Sequence, residues 1–249
     1  MNNLKKMALS ALIALLPFQA GAAEVSKPAQ EKTKQAATAS NVAKATPATP
    51  TYKPPLRGAP AGRVGGGTRG ATDRESFSLL ALAPDHIGYT VQDQPCLYWY
   101  ISKPTAYPVE LTLTERNAVK PLVETTLKAP DRGGIHSVCL ADYGVKLRKN
   151  VQYKWFVTLV TDASHRSKDI LAGGIMSLVD APPSLQDRLK ASAGNATSVY
   201  AEEGLWYDAL GALSSMIDAS PDNTELRKQR AALLEQVGLN EAANSDSRP

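Results

Sequence analysis

Cys96-Leu97-Tyr98-Trp99-Tyr100-Ile101 decides the fold class. Six apolar or aromatic residues stand in a row, with Pro95 before them and Ser102-Lys103-Pro104 after them. A short run without alternation, closed by turn formers, is the pattern of a central strand buried on both faces. Outward from it, Val109, Leu111 and Leu113 alternate with Glu110, Thr112 and Thr114. Tyr153, Trp155, Val157 and Leu159 alternate in the same way with Gln152, Lys154 and Thr158. A period of two with one apolar face marks strands lying on a core. Strands are predicted at 77–83, 96–102, 109–114, 121–128, 135–141, 153–161 and 170–179. Their spacing suits an all-β sandwich, and no amphipathic helix interrupts them to build a parallel α/β sheet.

After Asp180-Ala181-Pro182-Pro183 the apolar period lengthens to that of a helix. Ser184 is placed to cap a short helix through Ala191. A second helix is expected over 196–219, with Leu205, Ala209, Leu210, Leu213 and Ile217 on its apolar face. Trp206 and Tyr207 are neighbours on it, so one of the two is expected to dock against the sheet. Ser220-Pro221-Asp222 is expected to restart a helix, and Gly238 to end it. The stretch from Ala209 to Ala242 resembles a degenerate tetratricopeptide unit. One unit makes no concave groove, so packing on the sandwich is its expected role and peptide binding the alternative. The predicted class is therefore α+β. An antiparallel, immunoglobulin/fibronectin-like β-sandwich over 63–180 precedes a C-terminal helical hairpin over 184–243.

The other end of the chain speaks of place. Lys5 and Lys6, the apolar run Met7 to Phe18 and Ala20-Gly21-Ala22 follow the grammar of a secretory signal cleaved near Ala22 or Ala23. The run is too short to span a bilayer. A signal peptide over 1–23 and a periplasmic or secreted protein are the expectation, with no transmembrane segment after cleavage. Roughly 226 residues then remain, enough for one mid-sized core and a smaller element. Residues 24–62 are rich in Ala, Thr, Pro, Lys and Gln, a composition that cannot offset its own ordering entropy, and are predicted to be a disordered linker. Eight cations against two acids give residues 24–70 a net charge of +6, which leaves residues 71–249 at −4. A mildly acidic body argues against nucleic acid as a partner. Cys96 and Cys139 read as a disulfide in an oxidising compartment, with two buried free thiols as the rival reading. Closing that loop stabilises by roughly 4 kcal/mol in the chain-entropy account.

Arg63-Val64-Gly65-Gly66-Gly67-Thr68-Arg69-Gly70 is the sharpest local motif. Consecutive glycines let backbone N–H groups converge on an anion, and Arg63 and Arg69 add charge. Against this, glycines also permit left-handed turns where a tail enters a domain, with the arginines pairing internally. Asp162, His165 and Asp169 could face one cation, but their spacing is that of a turn, and no metal or cofactor is expected. No nucleophile or carboxylate accompanies His136 in sequence. Tyr98, Trp99, Tyr100, Tyr153, Trp155, Phe156, Trp206 and Tyr207 fall in core patterns rather than on a platform. Lys146, Arg148 and Lys149 form a small basic turn.

Several strings, in order, resemble one known family. They are Tyr52-Lys53-Pro54-Pro55, Gly65-Gly66-Gly67-Thr68-Arg69-Gly70, Leu79-Leu80-Ala81-Leu82-Ala83-Pro84 with Gly88 and Thr90, and Tyr98-Trp99-Tyr100. Tyr153-Lys154-Trp155 with Arg166-Ser167 and Asp169, and Gly204-Leu205-Trp206-Tyr207-Asp208-Ala209-Leu210, complete the set. Over roughly 52–240 the chain resembles the bacterial envelope family catalogued as domain of unknown function 928. The resemblance implies an exported protein with a β-rich body and a helical end, and no established activity. The two cysteines are not part of that pattern. The expectation is a non-enzymatic binding or adaptor module whose partner is an envelope protein or polymer. The alternatives are an anion- or polysaccharide-binding protein using Arg63, Gly65, Gly66, Gly67, Thr68 and Arg69, and an envelope hydrolase with an unrecognised site, which a cleft where Asp85, His136 or Asp169 converge would support.

Overall fold

The computed structural model describes residues 49–55, 62–65 and 77–248. The expected signal peptide, most of the expected linker, and Gly66, Gly67, Thr68 and Arg69 lie outside the described residues. Nine strands precede five helices among those described. They are β1 (Val64–Gly65), β2 (Leu79–Ala81), β3 (Gly88–Thr90), β4 (Cys96–Ile101), β5 (Val109–Glu115), β6 (Val123–Leu127), β7 (Gly134–Cys139), β8 (Gln152–Leu159) and β9 (Ile170–Leu178). The helices are α1 (Leu185–Ala191), α2 (Ala196–Glu202), α3 (Trp206–Ala219), α4 (Thr224–Glu235) and α5 (Asn240–Asp246). The chain is α+β, with largely antiparallel sheets.

One sheet has the order β1-β9-β8-β5-β6, and β3 joins the same edge of β9 as β1. Val64 pairs with Gly173 antiparallel, while Gly88 to Thr90 pair in parallel with Met176 to Leu178. The second sheet is β2-β4-β7, antiparallel throughout. The alternation read from the sequence fixes what each sheet buries. Val109, Leu111, Leu113, Tyr153, Trp155, Val157 and Leu159 are all sealed in one core, which they share with Leu79, Leu97, Trp99 and Ile101 of the second sheet. An aromatic ring of this size removes about 200 Å² from water, worth roughly 5 kcal/mol each.

The other face of the second sheet carries the helices. Tyr98 and Tyr100 point that way, and the Tyr98 hydroxyl bonds to Ser214 on α3. Helix α4 is tied to α5 by Arg230, which is buried. Its Nε and Nη2 each donate at 2.7 Å to the Asp246 carboxylate, and its Nη1 donates to Ser214 Oγ at 3.0 Å. A bidentate pair with its remaining donor satisfied tolerates burial that a lone charge would not.

The helical region departs from the sequence reading in four places. The expected single helix over 196–219 is two, because Gly204 takes φ 72° and its neighbour Leu205 donates back to Tyr200 O at 2.9 Å. That left-handed cap turns the chain and starts α3 at Trp206. The helix expected from Ser220 begins at Thr224 instead. Its cap is Asn223, whose Oδ1 accepts from the amides of Glu225 and Leu226 at 3.1 and 3.4 Å. Ser184 sits before α1 but gives no side-chain cap. Trp206 and Tyr207 both dock: Trp206 Nε1 donates to Leu82 O at 2.8 Å, and Tyr207 Oη accepts from Trp155 Nε1 at 2.9 Å. The start of α3 enters the core end-on, so adjacent side chains on different faces both find walls.

Residues 49–55, within the range read as linker, lie on the folded body. Tyr52 is 7% exposed, edge-on to Trp206 at 5.0 Å and stacked on His86 at 5.9 Å. Its amide donates to Gln236 Oε1 at 2.8 Å, and Gln236 Nε2 donates to Pro50 O at 2.9 Å. Lys53 N donates to Ala201 O at 3.0 Å, so backbone bonds and one aromatic ring together anchor the proline-rich stretch.

Candidate functional site

Register decides which strand edge is open. Leu82 N donates to Tyr98 O, and Ser102 N to Ser78 O, so the even-numbered residues of β4 bond toward β2. Leu140 N donates to Pro95 O, so the odd-numbered residues of β4 bond toward β7. On β7 the partners of those odd residues are Gly134, His136 and Val138. Ile135, Ser137 and Cys139 therefore turn their N–H and C=O groups away from β4. None of these outward groups has a backbone partner among the described residues. The Cys96–Cys139 disulfide closes the far end of the β4–β7 pair, as the paired-cysteine reading expects.

A groove of about 660 Å³ runs beside this edge. Trp99, His136 and Val138 form its floor, the 127–132 loop one wall, and Asp142, Tyr143 and Asp218 the other side. His136 stacks on Trp99 with 4.9 Å between ring centres, and its Nε2 donates to Arg132 O at 3.1 Å. Burial against the indole pushes the imidazole below its ordinary value, so it is neutral at pH 7. Trp99 is 2% exposed and its Nε1–H has no partner among the described residues.

At the Gly134 end a second pocket of about 200 Å³ adjoins the groove. Arg132, Arg227, Arg230 and Arg248 line it together with Asp246. Arg230 is spent on Asp246 and Ser214, and Arg227 donates to Pro221 O and pairs with Asp246 at 3.7 Å. Arg132 and Arg248 make no ion pair with any described residue, so the pocket carries surplus positive charge.

A third buried polar centre holds α3 to the strand edge. Asp208 is fully buried, and its Oδ2 accepts from Val91 N at 3.1 Å. The Thr90 and Gln92 side chains bond to it and favour the carboxylate, but burial wins and pushes its pKa up to about 6. Its Oδ1 has no partner among the described residues.

The residues singled out from sequence are placed as follows. Arg63 is half-buried and turned inward, its Nη1 donating to Ala83 O at 3.3 Å and Val237 O at 3.1 Å. Burial pushes that guanidinium below its ordinary value. Gly65 takes φ 75°, and a Cβ there would lie 1.9 Å from Leu171 O, so only glycine fits. Asp162 accepts from His165 Nδ1 at 2.7 Å and from Lys168 Nζ at 3.0 Å, and Arg166 pairs with Asp169 and Glu110. These contacts make an ion-pair network in a turn, and no metal-ligating cluster of three His, Cys, Asp or Glu occurs among the described residues. Lys146, Arg148 and Lys149 pair with Asp93, Glu115 and Asp180. His136 lies in the groove, whereas Asp85 lies beside Gly62 and Asp169 beside Arg166, so the three do not converge.

The sequence pattern of the family described as Domain of Unknown Function (DUF928) matches residues 64–247. The chain belongs to that family. The DUF928 stretch takes in every element from β1 to α5, including the glycine-rich string and Trp206-Tyr207-Asp208-Ala209-Leu210. It begins after Tyr52-Lys53-Pro54-Pro55, which the sequence reading had included. No curated protein matches the chain. Among solved structures it is similar to the multi-domain immunophilin from Arabidopsis thaliana, at 9% identity over 63% of this chain and 94% of that one. The TM-score is 0.17, and the likeness carries no argument. Among the described residues no helix is long and apolar enough to cross a membrane.

The groove residues escaped the sequence reading because Trp99, Arg132, Arg227 and Arg248 are far apart in the chain. One local signal was present. His136 and Ser137 put polar side chains on both faces of β7, which a strand flanked on both edges rarely does.

Proposed function

We propose that this DUF928 protein is an exported, non-enzymatic binding or adaptor module of the bacterial cell envelope, acting in the periplasm or after secretion. The reading joins the leader and the basic tether of the sequence to one observation, the open edge of β7 beside a groove lined by His136. A strand edge whose outward amides lack partners is a template for another chain. Within this reading the two sheets are an immunoglobulin/fibronectin-like sandwich. Helices α3 to α5 are a tetratricopeptide-like unit used for packing, through contacts such as Tyr98 with Ser214. The partner is an envelope protein, reached through the edge.

Photo-crosslinking in living cells tests the reading. A benzophenone amino acid in place of Ser137 is expected to give a discrete adduct, while one in place of the exposed Asp187 on helix α1, away from any strand edge, gives none. Absence of any adduct at 137, or equal adducts at both positions, removes the assignment.

A further inference from the structure

We infer that β7 takes an extended peptide as an added antiparallel strand, with the peptide's C-terminal carboxylate held by Arg132 and Arg248 in the pocket at Gly134. The inference rests on the binding-module reading and names the chemistry of its partner.

Strand addition needs free backbone donors and acceptors every second residue. Ile135 and Ser137 supply them on the outward side, and Cys139 extends the row. Direction follows from charge. β7 runs from Gly134 to Cys139, so an antiparallel partner ends at Gly134, where the arginine-lined pocket opens. A parallel partner would bring its N-terminal ammonium to the same arginines and be repelled. Arg230 of α4 and Ser245 of α5 also line that pocket, whose volume of about 200 Å³ accommodates a terminal carboxylate. Arg132 and Arg248 form no ion pair among the described residues, and the one acid lining the pocket, Asp246, is held by Arg230 and Arg227, so a carboxylate there meets unspent charge. Along the groove, the half-buried His136 ring, stacked on the buried Trp99, is the surface that a bound strand meets.

Other occupants fit less well. The chain's own 24–70 segment is basic, with a net of +6, and is repelled by the same arginines. A second copy docking edge to edge must clear the 127–132 loop, which stands beside the groove as a wall that a single strand passes.

The test uses the full chain and a library of hexapeptides displayed with free C-termini. Recovered sequences are synthesised once as the acid and once as the C-terminal amide, and binding is read by fluorescence anisotropy. The acid is expected to bind at least about tenfold more tightly than the amide. Arg132→Ala with Arg248→Ala is expected to remove that preference, weakening the acid about tenfold and leaving the amide unchanged. Ser137→Pro, which deletes an outward N–H, is expected to abolish binding of both peptides. If the proline variant does not fold, the arginine pair decides alone. No enrichment from the library overturns the inference. Equal binding of acid and amide overturns carboxylate capture while leaving the open edge as a binding surface. Full binding by a folded Ser137→Pro variant removes β7 as the site and takes the broader reading with it. A wild type that sediments as a dimer beside a monomeric Ser137→Pro gives the edge to a second copy, and also overturns the inference.

Discussion

The outer edge of β9 and the outer edge of β7 meet opposite fates in one chain. Along β9, β1 covers Ala172 and Gly173, and β3 covers Met176 to Leu178. The start of α3 then locks that side, with Trp206 on Leu82 O, Tyr207 on Trp155, and Asp208 on the Val91 amide. Along β7 no described segment pairs, and the strand is held by β4 and the Cys96–Cys139 bond. An uncovered edge is a liability for solubility, and a fold that seals one edge with three separate elements has the means to seal another. The outer edge of β6 is also unpaired among the described residues, and what sets the β7 edge apart is the groove and the arginine-lined pocket beside it.

Breaking the sealed side should cost most. Trp206→Ala deletes a fully buried indole, leaves Leu82 O without its donor and removes the ring under Tyr52. A loss of about 5 kcal/mol is expected in urea unfolding. A loss under about 1 kcal/mol would mean that this side is not what holds the helices. Next comes the clamp on the open side. Replacing both Cys96 and Cys139 by alanine is expected to cost up to about 4 kcal/mol, since the bond closes a separation of 43 residues. Calorimetry of the double variant, compared with reduced wild type, checks it.

The third effect depends on pH. Asp208 holds its proton up to about pH 6 in the folded state and only to about 3.8 when unfolded. The folded form therefore binds more protons across that interval, and stability falls as pH rises through it, by about 3 kcal/mol in total. Asp208→Asn cannot ionise and is expected to lose this slope, gaining on wild type at pH 7 relative to pH 4. Parallel stability curves for the two proteins would show that Asp208 is not the titrating group. A smaller cost, about 2 kcal/mol, is expected for Gly65→Ala, which puts a Cβ against Leu171 O at positive φ. Ser137→Pro on the open edge is expected to change stability by less than about 0.5 kcal/mol, because the deleted N–H has no partner to lose. A large loss there would mean that the edge is covered.

Much of the body was legible in the sequence. The alternation along Tyr153 to Leu159, and the double-faced run Cys96 to Ile101, gave seven strands within a few residues of their observed ends. β1 and β3 were missed because two or three residues containing glycine have no measurable period. The break at Gly204 was masked by apolar periodicity that continues across it into α3. Asn223 was passed over for Ser220 because both are good caps, and only the path of the chain chooses between them. The candidate groove was the least legible part. The register that frees Ile135 and Ser137 depends on hydrogen bonds at Leu82 and Leu140. The arginines that meet at Gly134 come from the 127–132 loop, from α4 and from the residues after α5, far apart in sequence. Neither leaves a local pattern.

Amide hydrogen exchange along β7 tests the central claim most directly. The account expects an alternation, with the amides of His136 and Val138 protected by β4 while those of Ile135 and Ser137 exchange freely. Protection at all four positions would show that the edge is already covered, and would contradict the account.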